Sequence, residues 1–329
     1  MRIFSGIQPT GRKHAGNYIG AMLGWVEAQE RGTPAIYCIV DLHATSISYD
    51  PKALPSYVLD TTAMLISAGL DPERCILFRQ SDVREHSELC WLLGSVTPYG
   101  DLQRMHQFKE KSEREQALVR TSLFLYPVLQ AADILLYKTD EVPVGDDQRQ
   151  HVELAREIAR RFNATYADVF VEPEHVIPDF GARIMDLQDP GTKMSTSTGT
   201  EAGLIYIDDD PDAIVRKVKR AQTDSGSEIV RSPDKPGITN LIEMLAVARD
   251  VQPAEIEREF DGQGYGAFKQ AVGEGLVELL TPARERYREL RPDEERIEAT
   301  LAEGAERARE IASLTMGEVR AAMGVGPAR

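Results

Sequence analysis

The run Ala35-Ile36-Tyr37-Cys38-Ile39-Val40 is apolar at every position and stops at Asp41. It is too short for a helix of its own and follows Gly32 and Pro34, so it reads as a strand buried on both faces. Ile3 to Gly6 reads as a second short strand. Between them lie a loop from Ile7 to Gly16 and a helix beginning near Asn17, on which Ile19, Leu23 and Val26 recur at helical spacing until Gly32. A strand, helix, strand unit of this length implies a right-handed crossover and a parallel sheet. Open sheets of that kind bind ligands beyond the carboxyl ends of their strands, and the loop after Gly6 sits at such an end.

The remaining chain extends this pattern. Asp50-Pro51 predicts a helix start running to about Gly69, and a strand is expected from Cys75 to Arg79. From Ser87 to about Ser122 the sequence is helical and charged, which suggests an insertion between two halves of the sheet. Apolar segments return at Leu129 to Leu136 and Val142 to Val144, before a helix marked by Val152, Ala155, Ile158 and Phe162. Beyond the turn-rich stretch Asp189-Pro190-Gly191-Thr192-Lys193-Met194-Ser195-Thr196-Ser197 the chain is almost purely helical. Ile297, Leu301, Ala305, Ala308 and Ile311 hold helical spacing along one long example.

Several function classes lose support. The 329 residues, 42% of them apolar, supply enough core for an α/β domain and a smaller one. Charged residues interrupt every apolar run before the roughly 20 residues needed to span a membrane. The first residues do not resemble a signal peptide, so a soluble, cytoplasmic protein is expected. Cys38, Cys75 and Cys90 lie far apart and form no metal-ligand pair. The net charge of -15 argues against unselective binding of nucleic acid, DNA included. Any RNA contact is therefore local, through Arg216, Lys217, Lys219 and Arg220 or through Arg104, Lys109, Lys111 and Arg114; both clusters also read as solvated helix faces.

Four places carry candidate chemistry. The loop from Gly6 to Gly16 allows close backbone approach and puts His14 just before a helix amino terminus, where anions are favoured. It matches neither the three-glycine dinucleotide fingerprint nor the Walker loop, and a bland turn remains an alternative. Lys193 to Ser197 offers a cation and hydroxyls suited to a departing polyphosphate, or a flexible linker. Gly145-Asp146-Asp147-Gln148 opens a helix after an apolar strand, as a ligand contact or as a cap. Asp133, among apolar neighbours, needs a partner, and a donor on a bound ligand is the expected one.

Taken in order, Gly6-Ile7-Gln8-Pro9-Thr10-Gly11 with His14-Ala15-Gly16-Asn17, then Gly145 to Gln148, then Lys193 to Ser197 resemble class I tryptophanyl-tRNA synthetases. The resemblance extends to Ile39-Val40-Asp41-Leu42-His43-Ala44, Gln107 to Ser112, Gly181 to Met185 and Gly264 to Lys269. It implies a Rossmann-like parallel-sheet catalytic domain over residues 1–192, with a helical insertion at about 45–122 serving as a dimer interface. A KMSKS-like loop would follow at 193–200, and an all-helical anticodon-binding domain at 201–329. ATP would lie against Gln8, Pro9, Thr10, His14, Gly16, Asn17, Gly145, Asp146, Asp147, Ile184, Lys193, Met194, Ser195 and Ser197. Catalytic roles fall to His14, Asn17, Lys193 and Ser195. Asp133 would accept the indole N–H, Phe4, His43, Val142 and Val144 would line the indole pocket, and Tyr126, Gln130 and Gln148 would lie at the amino-acid site. Mg2+ would accompany ATP without dedicated protein ligands, and the implied partners are tryptophan, its tRNA and a second copy of the chain.

Two departures from the family pattern matter. Thr196 stands where the loop usually has its second lysine, so either Lys193 and nearby cations suffice or adenylate formation is slower. Gln130 stands where many relatives carry methionine, and the run Tyr126 to Asp133 also resembles tyrosyl-tRNA synthetases, which makes tyrosine the alternative substrate. A third reading is an auxiliary paralogue that binds without charging tRNA.

Overall fold

The computed structural model describes residues 1–105, 120–176, 183–196 and 199–326, with Asp146 described by its backbone alone. Lys109, Lys111, Arg114, Ser197, the motif Gln107 to Ser112 and the pair Gly181-Ala182 lie outside the described residues.

Five parallel strands form one sheet in the order β3-β2-β1-β4-β5. They are β1 (Ile3–Ile7), β2 (Ala35–Ile39), β3 (Ile76–Arg79), β4 (Glu141–Pro143) and β5 (Glu174–Val176). In β2 the pleat divides the apolar run: Ala35, Tyr37 and Ile39 join one core, while Ile36, Cys38 and Val40 join the other. Ile3 and Phe4 of β1 divide in the same way. Each such fully buried aliphatic or aromatic side chain contributes about 1.5–3 kcal/mol relative to exposure, which selects the strand over any one-faced element. The chain order reverses between β1 and β4, so the crevice beyond their carboxyl ends is the place where a ligand binds in this topology.

The first helical segment starts at Ala15, continues through a π turn at Tyr18–Met22, and ends in α1 (Leu23–Glu30). Its start is earlier than expected because Asn17 is not the cap but the third helical residue, reaching back to accept the His14 N–H at 3.2 Å. Helix α2 (Leu54–Ala68) begins after a turn that Asp50 caps by accepting the Lys52 N–H. The insertion expected over about 45–122 therefore contains α2 and the strand β3, which belong to the sheet and its layers; the chain leaves the sheet only at Gln80. There follow α3 (Glu85–Leu93) and α4 (Thr121–Leu135), the latter running unbroken through Pro127 and containing the apolar segment that begins at Leu129. Helix α5 (Arg149–Thr165) covers the same face.

Beyond residue 201 come α6 (Pro211–Lys219), α7 (Pro236–Arg249), α8 (Gly264–Leu290) and α9 (Glu294–Met323). Their apolar faces are continuous with the core under β1 and β2. Helix α9 crosses the free edge of β3: Ile297 and Leu301 belong to one core, while Ala305, Ala308, Ala312 and Met316 belong to the other. The crossing is close, since a Cβ on Gly304 would stand 1.9 Å from the Leu77 carbonyl oxygen. Arg79 clamps it with two 3.1 Å bonds to the Glu298 carboxylate. Among the described residues no helix is long and apolar enough to cross a membrane.

Candidate active site

A cavity of about 540 Å³ opens at the β1/β4 crevice, within the range usual for small-molecule sites. Its walls are assembled from four distant segments: the strand end and loop from Phe4 to Asn17, His43 after β2, α4 with the β4 end and its following turn, and Lys193 to Thr196. Sixteen of the residues expected at the site line it: Phe4, Gln8, Thr10, His14, Asn17, His43, Tyr126, Gln130, Asp133, Val142, Val144, Asp147, Gln148, Lys193, Met194 and Ser195.

Pro9, Gly16, Gly145 and Ile184 do not line the cavity, but the last three shape its walls. Gly16 is closely packed: a Cβ there would press on the His14 ring at 3.0 Å and on Met194 at 3.4 Å. A Cβ on Gly145 would stand 2.9 Å from Asp147 Oδ1. Ile184 is buried, and its carbonyl accepts the Met194 N–H at 2.9 Å, pairing the loop at 193–194 with 184–186. Residues 13–15 are likewise stitched to 205–207: Ala15 N–H donates to Ile205 O at 2.7 Å and Ile207 N–H to Lys13 O at 3.0 Å. A Cβ on Gly16 would meet Met194 and one on Gly11 would meet Thr196, so the first loop and the Lys193 loop lie side by side in one wall.

Lys13 was absent from the expected set, yet it lines the cavity and is buried. Its ammonium donates to the carbonyls of Gln8 at 2.9 Å and Thr10 at 3.3 Å, fixing the curl of the loop. Burial pushes it down to about 7 against the pull of Asp60. Burial, with Lys13 and Lys193 nearby, pushes His14 down to about 4, so the imidazole is neutral at pH 7. An anion entering here meets two groups that bind protons more tightly once it arrives.

Across the cavity runs a chain of side-chain contacts. Gln130 Nε2 donates to Gln148 Oε1 at 3.3 Å, Gln148 Nε2 to Asp147 Oδ2 at 2.8 Å, and Lys193 Nζ to Asp147 Oδ1 at 3.0 Å. Burial opposes the charge on Asp147, and Lys193 outweighs it, holding the carboxyl below its usual range. Tyr126 pairs with His151 Nε2 at 2.9 Å. Gln130 is thus tied to Gln148.

The expectation that Asp133 depends on a ligand donor for its partner is corrected. Buried Asp133 already accepts from His43 Nε2 at 2.8 Å, His86 Nδ1 at 2.6 Å and Gln80 Nε2 at 2.7 Å. Burial alone would raise its pKa, but the bonds from His43 and His86 hold it well below the usual carboxylate range. An apolar sequence neighbourhood overstated the isolation, because all three donors lie far upstream in the chain. Asp133 nevertheless still borders the cavity.

The family model for class I tRNA synthetases (W and Y) matches residues 1–281. Tryptophan--tRNA ligase 1 of Streptomyces coelicolor is 46% identical over 330 residues, covering 99% of this chain and 98% of its own. A crystal structure of tryptophanyl-tRNA synthetase from Mycoplasma pneumoniae superposes with a TM-score of 0.89 at 34% identity, covering 99% of this chain and 98% of that one. The enzyme from Campylobacter jejuni, complexed with ADP and tryptophan, gives 0.80 at 34% identity over 99% and 100% of the two chains. A parallel sheet with its cavity at the strand reversal, the three motifs around that cavity and these full-length matches agree: the chain belongs to the class I tryptophanyl-tRNA synthetase family.

Proposed function

We propose that this chain activates tryptophan with ATP and transfers it to the 2′-hydroxyl of the terminal adenosine of its tRNA. The observation that supports the reading is one cavity bordered both by the acceptor Asp133 and by Lys193, whose ammonium is linked to Gln130 through Asp147 and Gln148. In the first step a carboxylate oxygen of tryptophan attacks the α-phosphorus of ATP. The bond to the bridging oxygen breaks, and the electron pair leaves with pyrophosphate. No proton need move, so the protein's task is positioning and charge neutralisation. Lys193 and Lys13 face the leaving charge, neutral His14 and Asn17 border the nucleotide, and Asp133 accepts the indole N–H.

Mg2+ fits as a companion of the nucleotide. Among the described residues no three His, Cys, Asp or Glu side chains form a metal-binding group, and Asp147 offers one carboxylate beside the phosphate end, as is common for this ion. When bound, it shields the triphosphate's negative charge.

Exchange of labelled pyrophosphate into ATP, measured with each amino acid, tests the reading. Tryptophan should support exchange at least about 1,000-fold better than tyrosine or phenylalanine, because a site shaped to accept one ring N–H rejects side chains that do not supply it there. Preference for tyrosine would overturn it. Charging of tRNA by the purified protein is expected and separates an enzyme from an auxiliary paralogue.

Thr196 borders the cavity, with its side chain 3.8 Å from where a Cβ on Gly11 would sit. Thr196→Lys would add an ammonium beside the polyphosphate, and the exchange rate should rise about tenfold, the equivalent of one modest charge contact. An unchanged or lower rate would reject a limiting role for the missing charge.

The helices beyond 201 are read as the anticodon-binding region, with exposed Arg216, Lys219 and Arg220 as the phosphate-facing set. Lys217 belongs less to that face, since it is paired with Asp209 at 2.7 Å and Glu201 at 3.1 Å. Exposed Trp91, Tyr99 and Leu125 lie on the helices outside the sheet and suit pairing with a second copy. A cytoplasmic enzyme is the setting in which this reaction serves translation.

A further inference from the structure

The donors that surround Asp133 are not equivalent. Asp133 and His43 border the cavity, whereas Gln80, His86 and Tyr137 are fully buried behind them. An ionised carboxylate has about four acceptor positions, two on each oxygen. On Oδ1 both are taken, by Gln80 at 2.7 Å and His86 at 2.6 Å; on Oδ2 the contact is His43 at 2.8 Å. Among the described residues one acceptor position therefore remains, on Oδ2, the oxygen that His43 contacts.

Each hidden donor is itself held. The Gln80 amide is oriented by the Leu42 N–H, which donates to Oε1 at 3.1 Å, so that Nε2 must face Asp133. Tyr137 is buried, its pKa is raised well above the ordinary phenol value by that burial, and its hydroxyl is bonded to His86 Nε2 at 2.8 Å. Ionised Asp133 can only accept, so the nitrogen facing it, Nδ1, is the one that donates. Tyr137 also stacks on Phe4, with ring centroids 5.5 Å apart and planes 11° from parallel, and Phe4 forms part of the cavity wall. The apolar wall and the polar acceptor are keyed to one tyrosine.

We propose that His86, Tyr137 and Gln80 are positioning residues for amino-acid selection: Gln80 and His86 occupy Oδ1, Tyr137 holds His86 in place, and together they turn Asp133 so that its one remaining acceptor position meets the N–H of an indole lying against Phe4. The inference rests on the reading of the tryptophan site and deepens it. The hidden trio acts through Asp133 and touches no substrate. Its effect belongs to the binding of the ring nitrogen rather than to adenylate chemistry.

The test compares tryptophan with an analogue whose indole nitrogen is replaced by sulfur, 3-benzothienylalanine, which keeps the shape and lacks the donor. Pyrophosphate exchange is measured for both with Tyr137→Phe, His86→Asn and Asp133→Asn in the full chain. In Tyr137→Phe and His86→Asn the KM for tryptophan should rise about tenfold while kcat and the KM for ATP change less than about twofold. The preference for tryptophan over the sulfur analogue should fall by about the same factor. In Asp133→Asn that preference should collapse. Tyr137→Phe removes one oxygen and retains the ring stack, so it decides the matter if His86→Asn folds poorly.

Equal losses for both substrates, or an unchanged preference in Tyr137→Phe, would overturn the positioning role. Collapse in Asp133→Asn alone would leave the tryptophan reading intact and reject this inference. Preference retained in Asp133→Asn would reject both.

Discussion

Replacing Lys193 by alanine is expected to lower tryptophan-dependent pyrophosphate exchange about 100- to 1,000-fold, the usual consequence of deleting one preorganised group aimed at developing charge. Lys193 borders the cavity and holds Asp147 at 3.0 Å. When the triphosphate enters, the ammonium has a stronger anion to face than a half-exposed carboxylate. In most relatives a second lysine on this loop would share the task, but here that position is Thr196. The loss is therefore concentrated in one side chain. The KM for tryptophan should change little, because Gln130 and Gln148, proposed for the amino-acid end, are linked to Lys193 indirectly, through Asp147. Lys193→Arg should recover only part of the rate, since a planar guanidinium replaces a compact ammonium. A fall of less than about tenfold in Lys193→Ala, well below the expected range, would place the phosphate grip elsewhere, with Lys13 the first alternative.

The second large effect is on stability. Gly304→Ala should destabilise the protein by about 2–3 kcal/mol, although alanine in a helix interior is ordinarily favoured over glycine by about 1 kcal/mol. The added Cβ would meet the Leu77 carbonyl oxygen at 1.9 Å and its carbon at 2.7 Å. Both are backbone atoms of a paired strand, so no rotamer change relieves the clash. Helix α9 must shift outward, weakening the Ile297 and Leu301 contacts on one side and those of Ala305 and Ala308 on the other. Urea unfolding checks this: the midpoint should drop with little change in slope. An unchanged or raised midpoint would mean that the helix is free to move away at no cost.

Much of this architecture could be read directly from residue order. The run from Ala35 to Val40 announced a strand with two buried faces, and the spacing of Ile297, Leu301, Ala305 and Ala308 announced α9. The three loop motifs were legible because each combines residue types with a local chemical logic, and β1, β4 and the Lys193 hairpin deliver them to one crevice. β5 went unread, since its three residues, Glu174–Val176, show no apolar alternation and are largely exposed. The surroundings of Asp133 were misjudged for a different reason. Its donors come from His43, Gln80 and His86, between 47 and 90 residues away in the chain, and only the packing of α3 and α4 beside β2 and β3 brings them together. Lys13 was passed over because a lysine beside a turn reads as solvated, and only the pairing of 13–15 with 205–207 buries it.

The way α9 straddles the rim of the sheet also bears on the order of events during synthesis. A ribosome releases β3, β2 and β1 long before it reaches residue 304, so the outermost strand spends most of translation with one row of peptide groups unsatisfied. Such a border recruits stray strands from other chains. Its span of only four residues, Ile76–Arg79, limits that hazard until the closing helix arrives and seals it.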